Sequence, residues 1–171
     1  MAWLETLLND PVGQSLLNTQ LQSVNFVVSQ TEFWRADISP RLNWQVVQFR
    51  CDEISRLPEE PGLYAFVARI PFEGLPLHGW VMYIGQTGDG NSGATLRRRF
   101  RQYLRDKGVS ERPAIYYMLN AWDDCLEFFY APEPSRKDEL KELETRLLGA
   151  FRPPFSDRTY PAAFMSPRHA F

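Results

Sequence analysis

The sequence has few of the residues that crosslink a chain or bind transition metals. Its 171 residues include only two cysteines and two histidines, so a disulfide framework is excluded and the usual structural zinc sites cannot be completed. Because no run of about 18 apolar residues occurs, we expect no membrane-spanning helix and no membrane partner. The N-terminus has no basic segment and carries Glu5 and Asp10, which is not typical of a secretory signal. These absences predict a cytoplasmic protein.

Charge is balanced over the whole chain but concentrated in one segment. There are 19 basic and 21 acidic residues, for a formal net charge of −2, which excludes a uniformly polycationic nucleic-acid coat. Between Leu96 and Arg112, however, seven basic residues occur with only two acidic ones. This local excess suits contact with a phosphate backbone, although such a run is more often a solvated helix face.

Hydrophobic patterning predicts an α/β domain of the α+β type over residues 58–157, and 44% hydrophobic residues are enough to build its core. The expected elements are strands at 62–68 and 80–85, a helix at 96–107 with Thr95 as its N-cap, a strand at 126–130 and a helix at 136–151. Segment 113–122 fits more than one structure. We therefore predict a small three-stranded sheet, mixed or antiparallel, that is flanked by helices.

The segments on either side of this domain are predicted to be accessory. Leucines at helical spacing over 4–21 favour a mostly helical N-terminal extension over residues 1–57. Short strand-like runs occur within it at 26–28 and 46–49. We expect this extension to pack on the core. Residues 158–171 contain further prolines and are expected to form an irregular tail.

Two predicted helices carry charged side chains where chemistry could occur. In the helix at 96–107, Arg99 lies at the edge of the buried stripe, one turn before Tyr103. In the helix at 136–151, Glu144 projects into a stripe of leucines. A buried carboxylate is costly unless it meets a metal ion or an arginine such as Arg99. The spacing alone is equally consistent with a buried ion pair and with a functional site.

These residues occur in an order that resembles the GIY-YIG nuclease superfamily. The matching motifs are Gly62-Leu-Tyr64, Tyr83-Ile-Gly85, Arg99 in a helix, and Glu144 followed by Pro154. The runs 83–87 and 96–103 look like the nuclease half of the UvrC excinucleases, and 143–155 is similar to the closing motif of that family. The resemblance covers about residues 58–157.

The resemblance implies an endonuclease that hydrolyses phosphodiester bonds of duplex DNA with Mg²⁺, or with Mn²⁺ in its stead. It implies that Tyr64 and Tyr83 face the active site from adjacent strands, and that one of them deprotonates the attacking water. Arg99 would contact the scissile phosphate. Tyr103 takes a position that is histidine in many members, and Glu144 would be the metal ligand.

A second group of residues is expected to bind the substrate. It comprises Arg97, Arg98, Arg101 and Arg105 on the solvent side of the helix, together with Lys107 and Ser156. The family usually has asparagine twelve residues after its glutamate, and Ser156 occupies that position here. This serine favours an alternative interpretation, in which a catalytically weakened GIY-YIG domain only binds DNA or a partner protein.

The spacing of the motifs bears on the biological role. The two motif tyrosines are 19 positions apart, and the loops at 71–79 and 88–93 are longer than in compact members of the family. Such insertions are found in members that act as restriction enzymes, which favours a restriction or defence role. A homodimer would allow both DNA strands to be cut, and residues 1–57 could supply its interface or further DNA contacts.

Overall fold

The computed structural model describes residues 30–35, 41–69, 78–88, 92–109 and 111–156, with single residues at 5, 9, 11, 74 and 76. The run at 26–28, the tail at 158–171 and nearly all of the segment 4–21 lie outside the described residues. The helices are α1 (Gln30–Arg35), α2 (Leu96–Asp106), α3 (Pro113–Ala121) and α4 (Leu140–Phe151). The strands are β1 (Gln45–Gln48), β2 (Gly62–Ala68), β3 (Trp80–Thr87) and β4 (Leu126–Pro132). Short 3-10 helices cover Cys51–Arg56, Asp123–Cys125 and Pro134–Glu139.

An antiparallel sheet with the strand order β1-β4-β2-β3 forms the centre of the fold. The strands β2 and β3 pair antiparallel, with Tyr64 opposite Gly85. On its other side β2 pairs with β4, so that Tyr64 is also opposite Tyr130. Six of the seven residues of β2 are buried because helices cover both faces of this central strand. The α+β class predicted from the sequence is therefore confirmed.

The predicted strand count of three is wrong, because β1 adds a fourth strand. Gln45 to Gln48 pair with β4, and Val46 lies opposite Phe129. This strand comes from the segment that the sequence assigned to a mostly helical extension. A four-residue edge strand carries little periodicity of its own, and its pairing partner is some 80 positions further along the chain. Residues 41–57 are consequently part of the sheet layer, and α1 is the helix described before them.

Hydrophobic side chains fill both faces of the sheet. One face carries Phe66 and Phe128. Their rings form an edge-to-face cluster with Phe49, which follows β1, and with Phe100 of α2, and the ring centroids in contact are 5.0–5.2 Å apart. The other face carries Leu63, Ala65 and Ile84, which pack on the leucines of α4. Because strand side chains alternate between the two faces, the motif residue Tyr64 shares the aromatic face. Within the described ranges no helix is long and apolar enough to cross a membrane.

The start of α2 is fixed by its cap and by the preceding turn. Thr95 is the N-cap, as predicted, and its hydroxyl accepts a hydrogen bond from the backbone N–H of Arg98 at 3.2 Å. The backbone N–H groups of Leu96 and Arg97 donate to the carbonyls of Glu60 and Pro58. The first turn of α2 is thereby attached to the segment that leads into β2.

The two remaining helices differ in part from the sequence prediction. Segment 113–122, which the sequence left ambiguous, forms α3 with Pro113 in its first turn, where no N–H is needed. The predicted helix at 136–151 is α-helical only from Leu140, because a 3-10 helix precedes it and Arg136 has non-helical dihedral angles. It ends at Phe151, where Arg152 takes the left-handed conformation with φ of 43°.

Candidate active site

A cavity of about 270 Å³ opens beside the edge strand β3 and gathers side chains from both faces of the sheet. Its lining consists of Tyr64, Tyr83, Ile84, Gln86, Arg99, Tyr103, Arg112, Glu144, Leu148 and Ser156. All five residues predicted to be catalytic line it, and Ser156 of the predicted substrate-binding group lines it too. They come from β2, β3, α2, α4 and the segment after α4, so only the folded chain brings them together.

Three of the lining residues are tyrosines whose rings contact one another. The rings of Tyr64 and Tyr83 stack with centroids 6.2 Å apart, and Tyr103 meets both of them edge-on at 5.8 and 6.0 Å. The hydroxyl oxygens of Tyr64 and Tyr103 are 3.0 Å apart and share a hydrogen bond. Two of the three hydroxyl groups are thus bonded to each other inside the protein.

The tyrosines differ in their exposure, and burial changes the acidity of two of them. Tyr64 is 2% exposed and Tyr103 is fully buried, whereas Tyr83 is half-buried. Burial is the largest cause that raises the pKa of Tyr64 above its usual range, and Tyr83 and Glu144 raise it further. Arg99 and the hydrogen bond from Tyr103 act in the opposite direction but are smaller effects. Burial likewise raises the pKa of Tyr103, so both buried hydroxyls stay protonated at neutral pH.

The charged residues predicted for the site lie in the same cavity. Glu144 is only 7% exposed although it is a carboxylate, as its position in the leucine stripe of α4 predicted. Arg99 is half-buried, and its Nη1 donates to the side chain of Gln102 at 2.8 Å. Its Nε is buried without a hydrogen-bond partner among the described residues. A buried donor of this kind is costly unless a ligand or water accepts its hydrogen bond.

Ser156 joins the segment after α4 to the edge strand β3. It is 8% exposed, and its hydroxyl oxygen accepts a hydrogen bond from the backbone N–H of Ile84 at 3.4 Å. One residue earlier, the N–H of Phe155 donates to the carbonyl of Met82 at 3.1 Å. These two contacts attach the segment after α4 to β3 and bring Ser156 into the cavity.

The remaining basic residues predicted to bind substrate lie outside the cavity lining that the described residues define. Arg98, Arg101 and Arg105 are exposed on α2, as the helical projection indicated. Arg97 is only partly exposed, because its side chain is also engaged within the protein. Its Nε donates to the carbonyl of Leu57 at 2.6 Å and its Nη1 to a carboxylate oxygen of Glu59 at 2.8 Å, because the segment before β2 folds over the first turn of α2. Lys107 forms an ion pair with Asp123 at 2.5 Å.

Two further residues line the cavity that the sequence did not single out. Arg112 lies with its guanidinium carbon 5.2 Å from the ring centre of Tyr103 and forms an ion pair with Asp106. Gln86 has a buried Oε1 that lacks a hydrogen-bond partner within the described part of the chain. Gln86 directly follows the motif Tyr83-Ile-Gly85, so its position in the sequence could have identified it as a residue near the cavity. Arg112 follows the turn after α2, and a helical projection says nothing about residues beyond the helix.

The lining of the cavity offers limited ligands for a divalent cation. Among the described residues, no group of three or more histidine, cysteine, aspartate or glutamate side chains is placed to hold a metal ion. Glu144 is the carboxylate in the cavity lining. Magnesium is commonly bound by one or two carboxylates, with water and substrate phosphate as its other ligands. The residues present fit that mode of binding and do not form a cage of protein ligands.

Comparison with known proteins adds no assignment to this arrangement. A scan against protein-family models, a search of curated proteins and a search of solved structures each returned no match for this chain. The functional interpretation therefore depends on the chemistry of the cavity. Its lining combines two arginines, one carboxylate and three tyrosine hydroxyls, a set that can bind an anion, hold a divalent cation and transfer a proton.

Proposed function

We propose that this protein is a Mg²⁺-dependent endonuclease of the GIY-YIG type that hydrolyses phosphodiester bonds in duplex DNA. One observation carries the proposal. The five residues that the motif resemblance selects, which are Tyr64, Tyr83, Arg99, Tyr103 and Glu144, line a single cavity. They are up to 80 positions apart in the sequence, and an unrelated α+β domain has no reason to collect them in one place.

Tyr83 is the better candidate for the group that takes a proton from the attacking water. A general base must reach the water that it activates, and Tyr83 is the half-exposed tyrosine of the three. Tyr64 is buried, its hydroxyl is engaged by Tyr103, and its pKa is raised. Tyr64 and Tyr103 therefore act as positioning residues that hold the ring of Tyr83 in place by stacking and edge contacts.

Arg99 and Glu144 account for the charges of the reaction. Arg99 would bind the scissile phosphate, which supplies an acceptor for its buried Nε and neutralises the charge that develops there. Removing a contact of this kind typically costs ~10²–10³ in rate. Glu144 would hold Mg²⁺, which when bound supplies Lewis-acid activation of the phosphate and stabilises the leaving group.

The exposed face of α2 extends the proposed substrate path beyond the cavity. Arg98, Arg101 and Arg105 lie on the helix that carries Arg99, and all three are exposed. We expect these basic side chains to contact DNA phosphates, and such contacts position the protein on DNA without recognising a base sequence. The motif spacing supports a restriction or defence role, and the need to cut two strands supports a homodimer. A cytoplasmic location is proposed with them.

The alternative function is a DNA- or partner-binding module without efficient catalysis. The observation that favours it is Ser156, which occurs where the resemblance implies asparagine and whose hydroxyl accepts from the N–H of Ile84. Against it, Tyr64, Tyr83, Arg99 and Glu144 are all retained and line one cavity, so the nuclease is the preferred proposal.

The test compares two glutamates of the same helix. The purified protein, Glu144→Gln and Glu142→Gln are incubated with supercoiled plasmid and phage genomic DNA, in Mg²⁺ or in EDTA. Glu142 is exposed and pairs with Arg146 on the outside of α4, so its variant controls for loss of a charge. We expect Mg²⁺-dependent cleavage by the protein and by Glu142→Gln, and none by Glu144→Gln. DNA binding without cleavage by the unsubstituted protein would favour the binding module, and cleavage by Glu144→Gln would exclude the metal-ligand role.

A further inference from the structure

Arg112 brings a second guanidinium group to the cavity from outside the motif helix. The chain leaves α2 after Asp106, turns, and presents Arg112 immediately before Pro113 of α3. The side chain then lies over the ring of Tyr103 and lines the cavity together with Arg99. Two arginines and one carboxylate give the lining an excess of positive charge even before any metal ion is bound.

The contacts of Arg112 orient the guanidinium without withdrawing it from the cavity. The guanidinium carbon lies 5.2 Å from the ring centre of Tyr103, and this cation–π contact holds the group beside the cavity that it lines. The ion pair with Asp106 uses Nη2, one of the nitrogens of a group with five donors. Burial is the largest single effect and acts to lower the pKa of Arg112, but the interactions with Asp106 and Tyr103 together outweigh it and raise the pKa, so the group stays charged.

A purely structural ion pair accounts less well for this position. The side chains of Arg112 and Asp106 are 36% and 25% exposed, and ion pairs at such partly exposed sites contribute little to stability. A partly exposed arginine that is held over an aromatic ring and lines a cavity together with Arg99 is, by contrast, well suited to bind phosphate. Its planar fork matches two phosphate oxygens at once.

We propose that Arg112 is a second phosphate-binding residue, which contacts the DNA backbone at a phosphate next to the one bound by Arg99. The proposal rests on the proposed nuclease function. Asp106 holds the guanidinium in the absence of DNA, and the phosphate takes over this role when DNA binds. Arg112 is accordingly a substrate-binding residue, and Asp106 serves only to orient it.

The experiment compares the two members of the ion pair. Arg112→Ala, Arg112→Lys and Asp106→Asn are made in the full chain. Plasmid cleavage gives kcat and KM, and thermal unfolding reports the integrity of the fold. Binding to a short DNA duplex is measured in EDTA over a series of NaCl concentrations, because the dependence of affinity on salt counts the phosphates that are neutralised, with a slope of ~0.9 for each phosphate.

Arg112→Ala is expected to raise KM roughly tenfold, as for the loss of one charge-assisted hydrogen bond, with little change in kcat. It should also lower the salt slope by about one unit. Arg112→Lys should restore the slope, since it retains the charge. Asp106→Asn removes the same ion pair but leaves the arginine, so its KM and slope should match the unsubstituted protein or show tighter binding.

The outcomes separate this proposal from the proposed function. If the protein cleaves DNA and Arg112→Ala leaves KM and salt slope unchanged, the nuclease stands and the role of Arg112 is overturned. Equal losses of stability and KM in Arg112→Ala and Asp106→Asn also overturn it, because a structural ion pair predicts that result. If cleavage is absent but Arg112→Ala alone lowers the salt slope, the nuclease fails and phosphate binding stands. Absence of both cleavage and DNA binding overturns both.

Discussion

The hydroxyl group of Tyr64 lies so close over Gly85 that a Cβ atom at Gly85 would be 2.4 Å from the tyrosine oxygen. The two residues are opposite each other on β2 and β3. No side chain other than hydrogen fits at that distance, so the glycine is required by the tyrosine of the neighbouring strand. The residues of the two motifs, which are separate in the sequence, therefore form one packing unit that supports the cavity.

Gly85→Ala is predicted to damage the cavity by displacing Tyr64. The added methyl group must move the ring, which breaks the 3.0 Å hydroxyl contact with Tyr103. Overpacking of this kind costs about 1–3 kcal/mol of unfolding free energy, and cleavage should fall at least tenfold. The control is Gly149→Ala in α4, where a Cβ would meet no described atom within 4 Å outside its own helix. That variant should gain up to about 1 kcal/mol in urea unfolding; a similar loss in both variants would contradict the steric explanation.

Tyr83→Phe and Tyr64→Phe are predicted to have different effects on catalysis. If Tyr83 is the base, its loss should lower the rate constant by ~10²–10⁴. Tyr64→Phe should have a smaller effect on the rate constant, because Tyr64 only positions the ring of Tyr83. Its main cost is a buried Tyr103 hydroxyl without its partner, about 1–3 kcal/mol of stability. A larger kinetic loss in Tyr64→Phe than in Tyr83→Phe would reverse the two roles.

Stability is predicted to decline at alkaline pH because of the buried tyrosines. Burial raises the pKa of Tyr64 and of Tyr103 in the folded state, whereas in the unfolded chain both ionise near about pH 10. Above that pH the unfolded chain binds fewer protons than the folded one, so the free energy of unfolding falls as pH rises. Below about pH 10 both groups are protonated in both states, so they do not make the free energy of unfolding depend on pH. Urea unfolding from about pH 8 to about pH 11 should show this decline, with a slope of up to ~1.4 kcal/mol per pH unit for each tyrosine. The decline should be smaller in Tyr64→Phe, and an equal decline would exclude Tyr64 as its source.

Arg97 and Arg101, which lie on the same helix, are predicted to act on different properties. Arg97 is bonded to the Leu57 carbonyl and to Glu59, so Arg97→Ala should lower stability by about 1–2 kcal/mol and leave the salt slope of DNA binding unchanged. Arg101 is exposed. Arg101→Ala should keep the melting temperature and lower the salt slope by about one unit. Thermal unfolding and DNA titrations in NaCl check both variants, and a loss of slope in Arg97→Ala would show that its anchoring contacts open when DNA binds.

The sequence by itself determined the local features of this protein. The apolar run of β2, the cap at Thr95 and the leucine stripe around Glu144 all follow from side chains that repeat with the period of a strand or a helix. Such patterns indicate which face of an element is buried. The five candidate catalytic residues that line the cavity were selected by the motif resemblance, and each of its motifs is contained within one element.

The tertiary structure decided the contacts and the exposure of side chains, which those patterns do not specify. It added β1 to the sheet through pairing with a strand some 80 positions away, where Tyr130 donates to Gln45. It anchored Arg97, brought Arg112 over Tyr103, and buried Tyr64 while leaving Tyr83 half-exposed. The physical reason is the same in each case. The period of a sequence fixes the direction of a side chain from its own element, whereas its partner and its exposure depend on how distant elements pack against it.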